Sequence, residues 1–266
     1  MPEESSYERR TEDAVRSTDE YEGMIAETIT LPGHGGDHIN AYYARPLGAG
    51  PYPAVVLFHH RPGWDEWYRE ATRRFAHHGY LALCPDLYSR FPPGPPDEVA
   101  ARVRAEGDVS DEQVVADGLA GVSFVRAQLV SSGKVALMGT CSGGRHAYLA
   151  ACRGRNVDAV VDCWGGRVVM QSEDVNDKYP VAPIDLTEDL PCPVLGLFGE
   201  DDKSPSPQQV AQHEAELRRL GKTYEFHSYP GAGHGFFYYD KPAAYRAEQA
   251  VDGWAKIWDF LSRQLG

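Results

Sequence analysis

From residue 53 onward, short apolar runs alternate along the chain with longer amphipathic segments. The apolar runs lack the polar alternation of a strand with one solvated face, so they predict parallel strands covered on both sides. The predicted strands are residues 54–59, 80–84, 134–138, 159–163, 194–199 and 225–229. The amphipathic segments predict helices over residues 65–78, 111–130, 143–153, 207–220 and 243–264.

The chain before residue 53 has a different pattern. Two further strands are predicted at residues 25–31 and 39–45, and the glycine-rich segment between them is typical of a hairpin loop. Residues 1–22 are polar and charged and have no periodic apolar face, which predicts a loosely held arm. We therefore predict a single α/β domain over residues 23–266, with a mostly parallel central sheet, helices on both faces and an N-terminal β-hairpin.

The composition disfavours several classes of protein. A formal charge of −13 argues against nucleic-acid binding, which needs clustered lysine and arginine. The first residues lack the basic start and apolar core of a secretory signal, and no apolar run approaches the ~20 residues that span a bilayer. Five cysteines, an odd number, lie mostly in or beside apolar segments, which favours free thiols. We expect a cytoplasmic protein without membrane or nucleic-acid partners, either a monomer or a homodimer.

One cysteine has a distinctive setting. Cys141 lies in the sequence Gly139-Thr-Cys-Ser-Gly143, directly after a predicted strand and directly before a predicted helix. This arrangement matches the Gly-x-Ser-x-Gly nucleophile elbow of α/β-hydrolases, with cysteine in place of serine. The glycines permit a sharp turn, and the N-terminus of the following helix favours a thiolate. The alternative interpretation is a small buried cysteine in a glycine-rich turn.

A thiol nucleophile needs a base and a carboxylate that orients the base. In α/β-hydrolases an acidic residue and then a histidine follow the nucleophile, each after a strand. His234 lies in a glycine-rich loop after the last of the predicted strands, and we interpret it as the base rather than as a histidine of a surface turn. Asp201 and Asp202 both follow the strand at 194–199, and we choose Asp201 because it lies nearer the strand end.

No cofactor or metal is predicted. The glycines at residues 139–144 lack the Gly-x-Gly-x-x-Gly spacing of a dinucleotide site. The adjacent histidines at 59–60 and 77–78 diverge in either a strand or a helix, so neither pair chelates a metal readily.

The chain resembles the dienelactone hydrolases (carboxymethylenebutenolidases) from about residue 25 to its C-terminus. The matching segments are residues 79–90, 139–144, 199–205 and 231–236. The resemblance implies that Cys141 is the nucleophile, His234 the base and Asp201 the orienting acid. It also implies an oxyanion hole formed by the backbone N–H groups of Ser142 and Arg61.

Two departures from the family bear on the substrate. His60 stands where the family commonly has a glutamate beside the resting thiol, and it could favour the thiolate or contact substrate. Of the two arginines that hold a substrate carboxylate in the family, Arg90 matches the first, whereas Tyr238 stands at the second position. Trp64 and Trp164, together with Tyr238, suggest a pocket lined by aromatic residues.

The sequence therefore predicts a hydrolase that cleaves a small ester or lactone through a thioester intermediate, without a cofactor. Because half of the carboxylate clamp is missing, we expect neutral substrates to react at least comparably to carboxylated ones. Two alternatives stay open. The same site could serve an acyltransferase or thioesterase, or the chain could be a non-catalytic small-molecule binder or thiol sensor on a hydrolase scaffold.

Overall fold

The computed structural model describes residues 23–266, which form an eight-stranded sheet flanked by helices. The predicted arm at residues 1–22 lies outside the described residues. The strands are β1 (Met24–Pro32), β2 (His38–Pro46), β3 (Tyr52–Phe58), β4 (Leu81–Pro85), β5 (Ser131–Thr140), β6 (Ala159–Cys163), β7 (Val194–Gly199) and β8 (Tyr224–Tyr229). The α-helices are α1 (Glu66–His77), α2 (Pro96–Ala105), α3 (Asp111–Arg126), α4 (Ser142–Arg153), α5 (Pro207–Arg219) and α6 (Ala247–Leu265).

The sheet is mostly parallel, as the apolar strands predict. Its strand order is β1-β2-β4-β3-β5-β6-β7-β8. The β1–β2 hairpin is antiparallel and joins the rest of the sheet through an antiparallel β2–β4 pair. The other six strands, from β4 to β8 across the sheet, run parallel. The predicted α/β architecture with an N-terminal hairpin is therefore confirmed.

The helices that the sequence predicts have a side-chain cap or a broad apolar face. Helix α1 starts after Asp65, whose side chain accepts a hydrogen bond from the Tyr68 N–H, and it buries a broad apolar face. Helix α2 is missing from the prediction. It begins with a proline and buries only Ala100 and Val103, so its apolar face is too narrow to recognise in the sequence.

The core lies in two apolar layers, one on each face of the sheet. Helices α1 and α6 cover one layer, and α2, α3 and α4 cover the other. Helix α5 contributes Val210 to the first layer and Leu217 to the second. Strand β3 contributes to both, because Val55 and Leu57 face one layer while Val56 and Phe58 face the other. Since both faces are closed, the groups available for chemistry collect at the carboxyl ends of the parallel strands. Within residues 23–266, no helix has both the length and the apolar character needed to cross a membrane.

Candidate active site

The turn between β5 and α4 holds Cys141 in an unusual backbone conformation. Its φ and ψ are 57° and −128°, which lie outside the ordinary regions for a residue with a side chain. Such a conformation costs about 1–3 kcal/mol and persists only where the surrounding structure enforces it. Cys141 is also the N-cap residue of α4, at the positive end of the helix dipole. This is the sharp strand-to-helix turn of a nucleophile elbow.

Two glycines around the turn are required by close backbone contacts. A Cβ atom at Gly139 would collide with the carbonyl group of Gly143. A Cβ atom at Gly143 would collide with the carbonyl oxygen of Phe58 at the end of β3. The glycines therefore let helix α4 begin directly against the sheet, which fixes the height of the thiol above the strand ends.

His234 lies in the loop after β8 and is held by Asp202, not by Asp201. Its Nδ1 lies 2.8 Å from Asp202 Oδ2, and the side chain of Asp202 is only 2% exposed. The prediction of Asp201 as the partner is wrong, because that residue is exposed. The N–H of Asp202 donates to the carbonyl of Gly199, and the resulting tight turn carries Asp202 back over the sheet. The Ser204 N–H then holds its second oxygen at 2.9 Å.

The thiol and the imidazole shift each other's ionisation. Burial alone would raise the pKa of Cys141, but the hydrogen bond and charge of His234 outweigh it, and the pKa lies below its usual value. Burial alone would lower the pKa of His234, but its hydrogen bonds to Asp202 and Cys141 raise that pKa to about 10. Both shifts favour a thiolate paired with an imidazolium.

The two predicted oxyanion donors both act on the thiol of Cys141. Hydrogen bonding from the backbone N–H groups of Ser142 and Arg61 helps to lower the pKa of this thiol. Ser142 opens helix α4, whereas Arg61 follows β3, which is paired directly with β5. Two peptide N–H groups from different segments therefore converge on one point, where a negatively charged oxygen could also be held.

A cavity of about 100 Å³ borders these two donors. Three arginines line it, and each forms an ion pair with an aspartate. The pairs are Arg61–Asp108 at 2.7 Å, Arg145–Asp111 at 2.5 Å and Arg167–Asp174 at 3.3 Å. The ring of Tyr179 lies 5.3 Å below the guanidinium of Arg145 and 4.9 Å below that of Arg167. Positive charge in the wall of the cavity is thus largely balanced by neighbouring carboxylates.

Comparison with known proteins shows the family of the chain. The model of the dienelactone hydrolase family matches residues 39–265. The chain belongs to the dienelactone hydrolase family. The "Putative carboxymethylenebutenolidase" of Methylorubrum extorquens is 35% identical over 252 residues, covering 92% of this chain and 82% of that protein. The "Putative carboxymethylenebutenolidase" of Salmonella typhimurium is 33% identical over 250 residues, which cover 92% of this chain and 90% of that protein. A structure from Klebsiella pneumoniae, described as "Putative Dienelactone Hydrolase", has a TM-score of 0.80 at 32% identity and covers 90% of this chain and 99% of its own.

Arg90 does not approach the site in this member of the dienelactone hydrolase family. Its guanidinium binds Asp117, which is fully buried, at 2.8 Å and Asp37 at 2.7 Å. A further nitrogen donates to the carbonyl of His34. The predicted role in binding a substrate carboxylate is therefore wrong, because Arg90 ties the hairpin loop to helix α3 and has no nitrogen directed at the cavity.

The other residues predicted to contact substrate also lie outside the cavity. His60, Trp164 and Tyr238 are 0%, 0% and 4% exposed and belong to the packed layer beneath the site. His60 bonds to Asp65 at 2.7 Å, so it takes no part in holding the thiol. Trp64 lines a separate groove of about 660 Å³. The predicted contacts with substrate are therefore wrong, because His60, Trp164 and Tyr238 fill the core and Trp64 borders a different groove.

The sequence analysis missed several residues that line the cavity, among them Tyr88, Asp108, Arg167 and Tyr179. Only Tyr88 and Arg167 carried a signal, since each follows closely after a parallel strand. Asp108 and Tyr179 come from long connections whose course the sequence does not reveal. Among residues 23–266 there is no cluster of side chains suited to a metal ion.

Proposed function

We propose that this protein hydrolyses a small ester or lactone, with Cys141 as the nucleophile, His234 as the base and Asp202 as the acid that orients it. One observation carries the proposal. Asp202 Oδ2 lies 2.8 Å from His234 Nδ1, and His234 together with two backbone N–H groups lowers the pKa of the Cys141 thiol. Membership of the dienelactone hydrolase family supports the same reaction class.

The first half of the reaction forms a thioester. The thiolate of Cys141 attacks the carbonyl carbon, and the carbonyl electron pair moves to oxygen. The N–H groups of Arg61 and Ser142 stabilise this oxyanion, which in such sites is the largest single contribution to rate. The C–O bond then breaks, and the imidazolium of His234 gives its proton to the leaving alkoxide. In a lactone this alcohol stays attached to the acyl group.

The second half regenerates the thiolate. The neutral imidazole of His234 accepts a proton from water as the water oxygen attacks the thioester carbonyl. The tetrahedral intermediate collapses, the C–S bond breaks, and the carboxylic acid leaves. The proton stays on His234, so the starting ion pair is restored. Asp202 keeps Nδ1 protonated throughout, which leaves Nε2 free for both proton transfers.

The cavity supports a small substrate of low charge. Its volume of about 100 Å³ lies below the ~300–1,000 Å³ of common ligand pockets, which favours a small substrate. Each arginine in its wall is already paired with a carboxylate. A substrate carboxylate would have to displace one of these partners, whereas a neutral carbonyl compound would not.

The test is a panel of small esters and lactones assayed with wild type, Cys141→Ala and Cys152→Ala. Cys152 is a buried thiol on helix α4 and serves as a matched control. We expect hydrolysis by wild type and Cys152→Ala and its loss in Cys141→Ala. Faster acyl transfer to an added alcohol or thiol than to water would indicate an acyltransferase. No turnover with any member would favour a binding protein or thiol sensor.

A further inference from the structure

His59, the residue after β3, is a buried histidine that the proposed reaction does not use. Its side chain is only 1% exposed, and each of its ring nitrogens forms a hydrogen bond with a backbone group. Nδ1 lies 2.9 Å from the carbonyl oxygen of His60, and Nε2 lies 3.1 Å from the N–H of Leu87. The imidazole therefore bridges the loop that carries Arg61 to the loop after β4.

These partners determine which nitrogen of His59 carries the proton. The Leu87 N–H can only donate, so Nε2 must be the unprotonated acceptor. Nδ1 then carries the hydrogen and donates it to the carbonyl of His60. Burial lowers the pKa of His59 to about 4, which keeps the ring neutral at physiological pH.

The carbonyl that His59 holds belongs to the same peptide group as an oxyanion donor. The His60 C=O and the Arg61 N–H share one planar unit, and in a trans peptide they point in opposite directions. The hydrogen bond that holds the His60 carbonyl oxygen therefore also fixes the direction of the Arg61 N–H. The Gly63 N–H donates to the same carbonyl at 3.0 Å and closes a tight turn around it.

The rings beside His59 limit its movement. The ring of Tyr88 packs edge-on at 4.6 Å between centroids, and that of Tyr68 lies at 6.3 Å. The Tyr88 hydroxyl also donates to the Arg61 carbonyl at 3.1 Å, so the next peptide group of the loop is anchored as well.

We propose that His59 is a positioning residue of the oxyanion hole, acting through the Nδ1–H bond that orients the His60–Arg61 peptide group toward Cys141. It touches neither substrate nor thiol. The inference rests on the proposed attack of Cys141 on an ester carbonyl, because that step needs the Arg61 N–H to face a developing oxyanion, whereas binding alone does not.

Two variants separate this role from a general structural one. In His59→Asn, the side-chain amide nitrogen can take the place of Nδ1 and keep the bond to His60. In His59→Gln, the amide reaches the position of Nε2 and leaves no donor for that carbonyl. Loss of an oxyanion donor costs about 10²–10³-fold in kcat, so we expect a fall of at least about 10-fold for Gln and less than about 3-fold for Asn.

Alkylation of Cys141 by iodoacetamide provides the internal reference, since displacement at a saturated carbon creates no oxyanion. Measured on the high-pH plateau, where the thiol is ionised, its rate should be nearly equal in wild type and both variants. We expect the ratio of kcat to the alkylation rate to fall in His59→Gln only, with KM little changed. An equal ratio in wild type and both variants, or an equal fall in both variants, would overturn the inference. His213→Gln, which alters a remote buried histidine, should leave the ratio unchanged.

If His59→Gln does not fold, the protonation of His59 can be tested on wild type. Nitrogen-15 spectra of histidine-labelled protein should show His59 protonated at Nδ1 and unprotonated at Nε2 between pH 5 and pH 8, a range above its pKa of about 4. The reverse tautomer or a doubly protonated ring would contradict the inference. A wild type with this tautomer but no esterase activity would count against the proposed function alone.

Discussion

Asp202 Oδ2 lies 2.8 Å from His234 Nδ1, and the carboxylate is almost completely shielded from water. A shielded acceptor holds the proton on Nδ1 and so presents Nε2 to the thiol of Cys141. The same bond contributes to raising the pKa of His234 to about 10. The ionisation of the Cys141 thiol therefore depends on a carboxylate that does not touch it.

Replacing this carboxylate should affect turnover far more than replacing its neighbour. Asp202→Asn removes the acceptor that fixes the tautomer, and we expect kcat to fall by about 10³–10⁴-fold. Asp201→Asn changes an exposed side chain and should leave kcat within about 2-fold of wild type, since surface substitutions have small effects. Steady-state kinetics on one ester checks both variants. A greater loss in Asp201→Asn would reverse the assignment.

The pH dependence of alkylation should reveal the ion pair. Thiolate is the reactive form, and the lowered pKa of Cys141 means that it persists below the ordinary thiol pKa of about 8.5. Iodoacetamide should therefore react fast at pH 7 and slow down only on further acidification. His234→Gln removes the imidazole whose hydrogen bond and charge lower this pKa most. The midpoint should therefore rise by at least about one pH unit, and the rate at pH 7 should fall.

The control is His213→Gln, which should keep the wild-type midpoint. The imidazolium of His234 deprotonates only near pH 10, so in wild type no loss of the pair is expected between pH 7 and pH 9. An equal midpoint in wild type and His234→Gln would contradict the ion pair.

The fold could be predicted from the sequence except for helix α2. Strand ends and glycine spacing also placed Cys141 and His234 in two loops that the structure brings together, because the turn after β5 and the loop after β8 are defined by local sequence. The choice between Asp201 and Asp202 failed, since it depends on the turn closed by the Asp202 N–H onto Gly199. A shift of one residue in a turn reverses which side chain faces inward, and hydrophobic periodicity does not encode it.

Replacing Arg90 should lower the stability of the fold without changing the selectivity for substrate. Arg90→Ala leaves the fully buried Asp117 without its charged partner, and we expect a loss of about 3 kcal/mol in the free energy of unfolding. Arg219→Ala, which removes an exposed ion pair, should leave the free energy of unfolding nearly unchanged. Denaturant titration measures both. In Arg90→Ala, KM for a carboxylated ester should rise no more than KM for its methyl-capped analogue. A larger rise in KM for the carboxylated ester would show that Arg90 binds the substrate.

Releasing Arg61 from its partner should change the preferred substrate charge. Asp108 binds this guanidinium at 2.7 Å beside the cavity. Asp108→Asn leaves a cation free to bind an anion, and we expect kcat/KM for a carboxylated ester to rise about 10-fold relative to its methyl-capped analogue, or ~1.4 kcal/mol. Adding Arg61→Gln should abolish the gain while retaining the backbone N–H. An unchanged ratio in Asp108→Asn would show that Arg61 does not reach the substrate.

Residues of the cavity wall were harder to predict than the reacting groups. Arg61 and Arg145 adjoin recognisable motifs, but Asp108 and Tyr179 reach the site only because long connections fold back over the strand ends. The opposite error occurred with aromatic residues that were predicted to line the pocket but lie in the core. Trp164 and Tyr238 adjoin strand ends or the His234 loop, yet their large apolar surfaces are buried in the core.

The covalent intermediate tests the central claim most directly. Wild-type protein mixed with an activated ester and quenched in acid within milliseconds should gain the mass of one acyl group. Peptide mapping should place that group on Cys141 as a thioester cleaved by hydroxylamine. Cys152→Ala should give the same adduct, and Cys141→Ala should give neither adduct nor turnover. Continued hydrolysis by Cys141→Ala, or an acyl group mapped to another residue, would contradict the account.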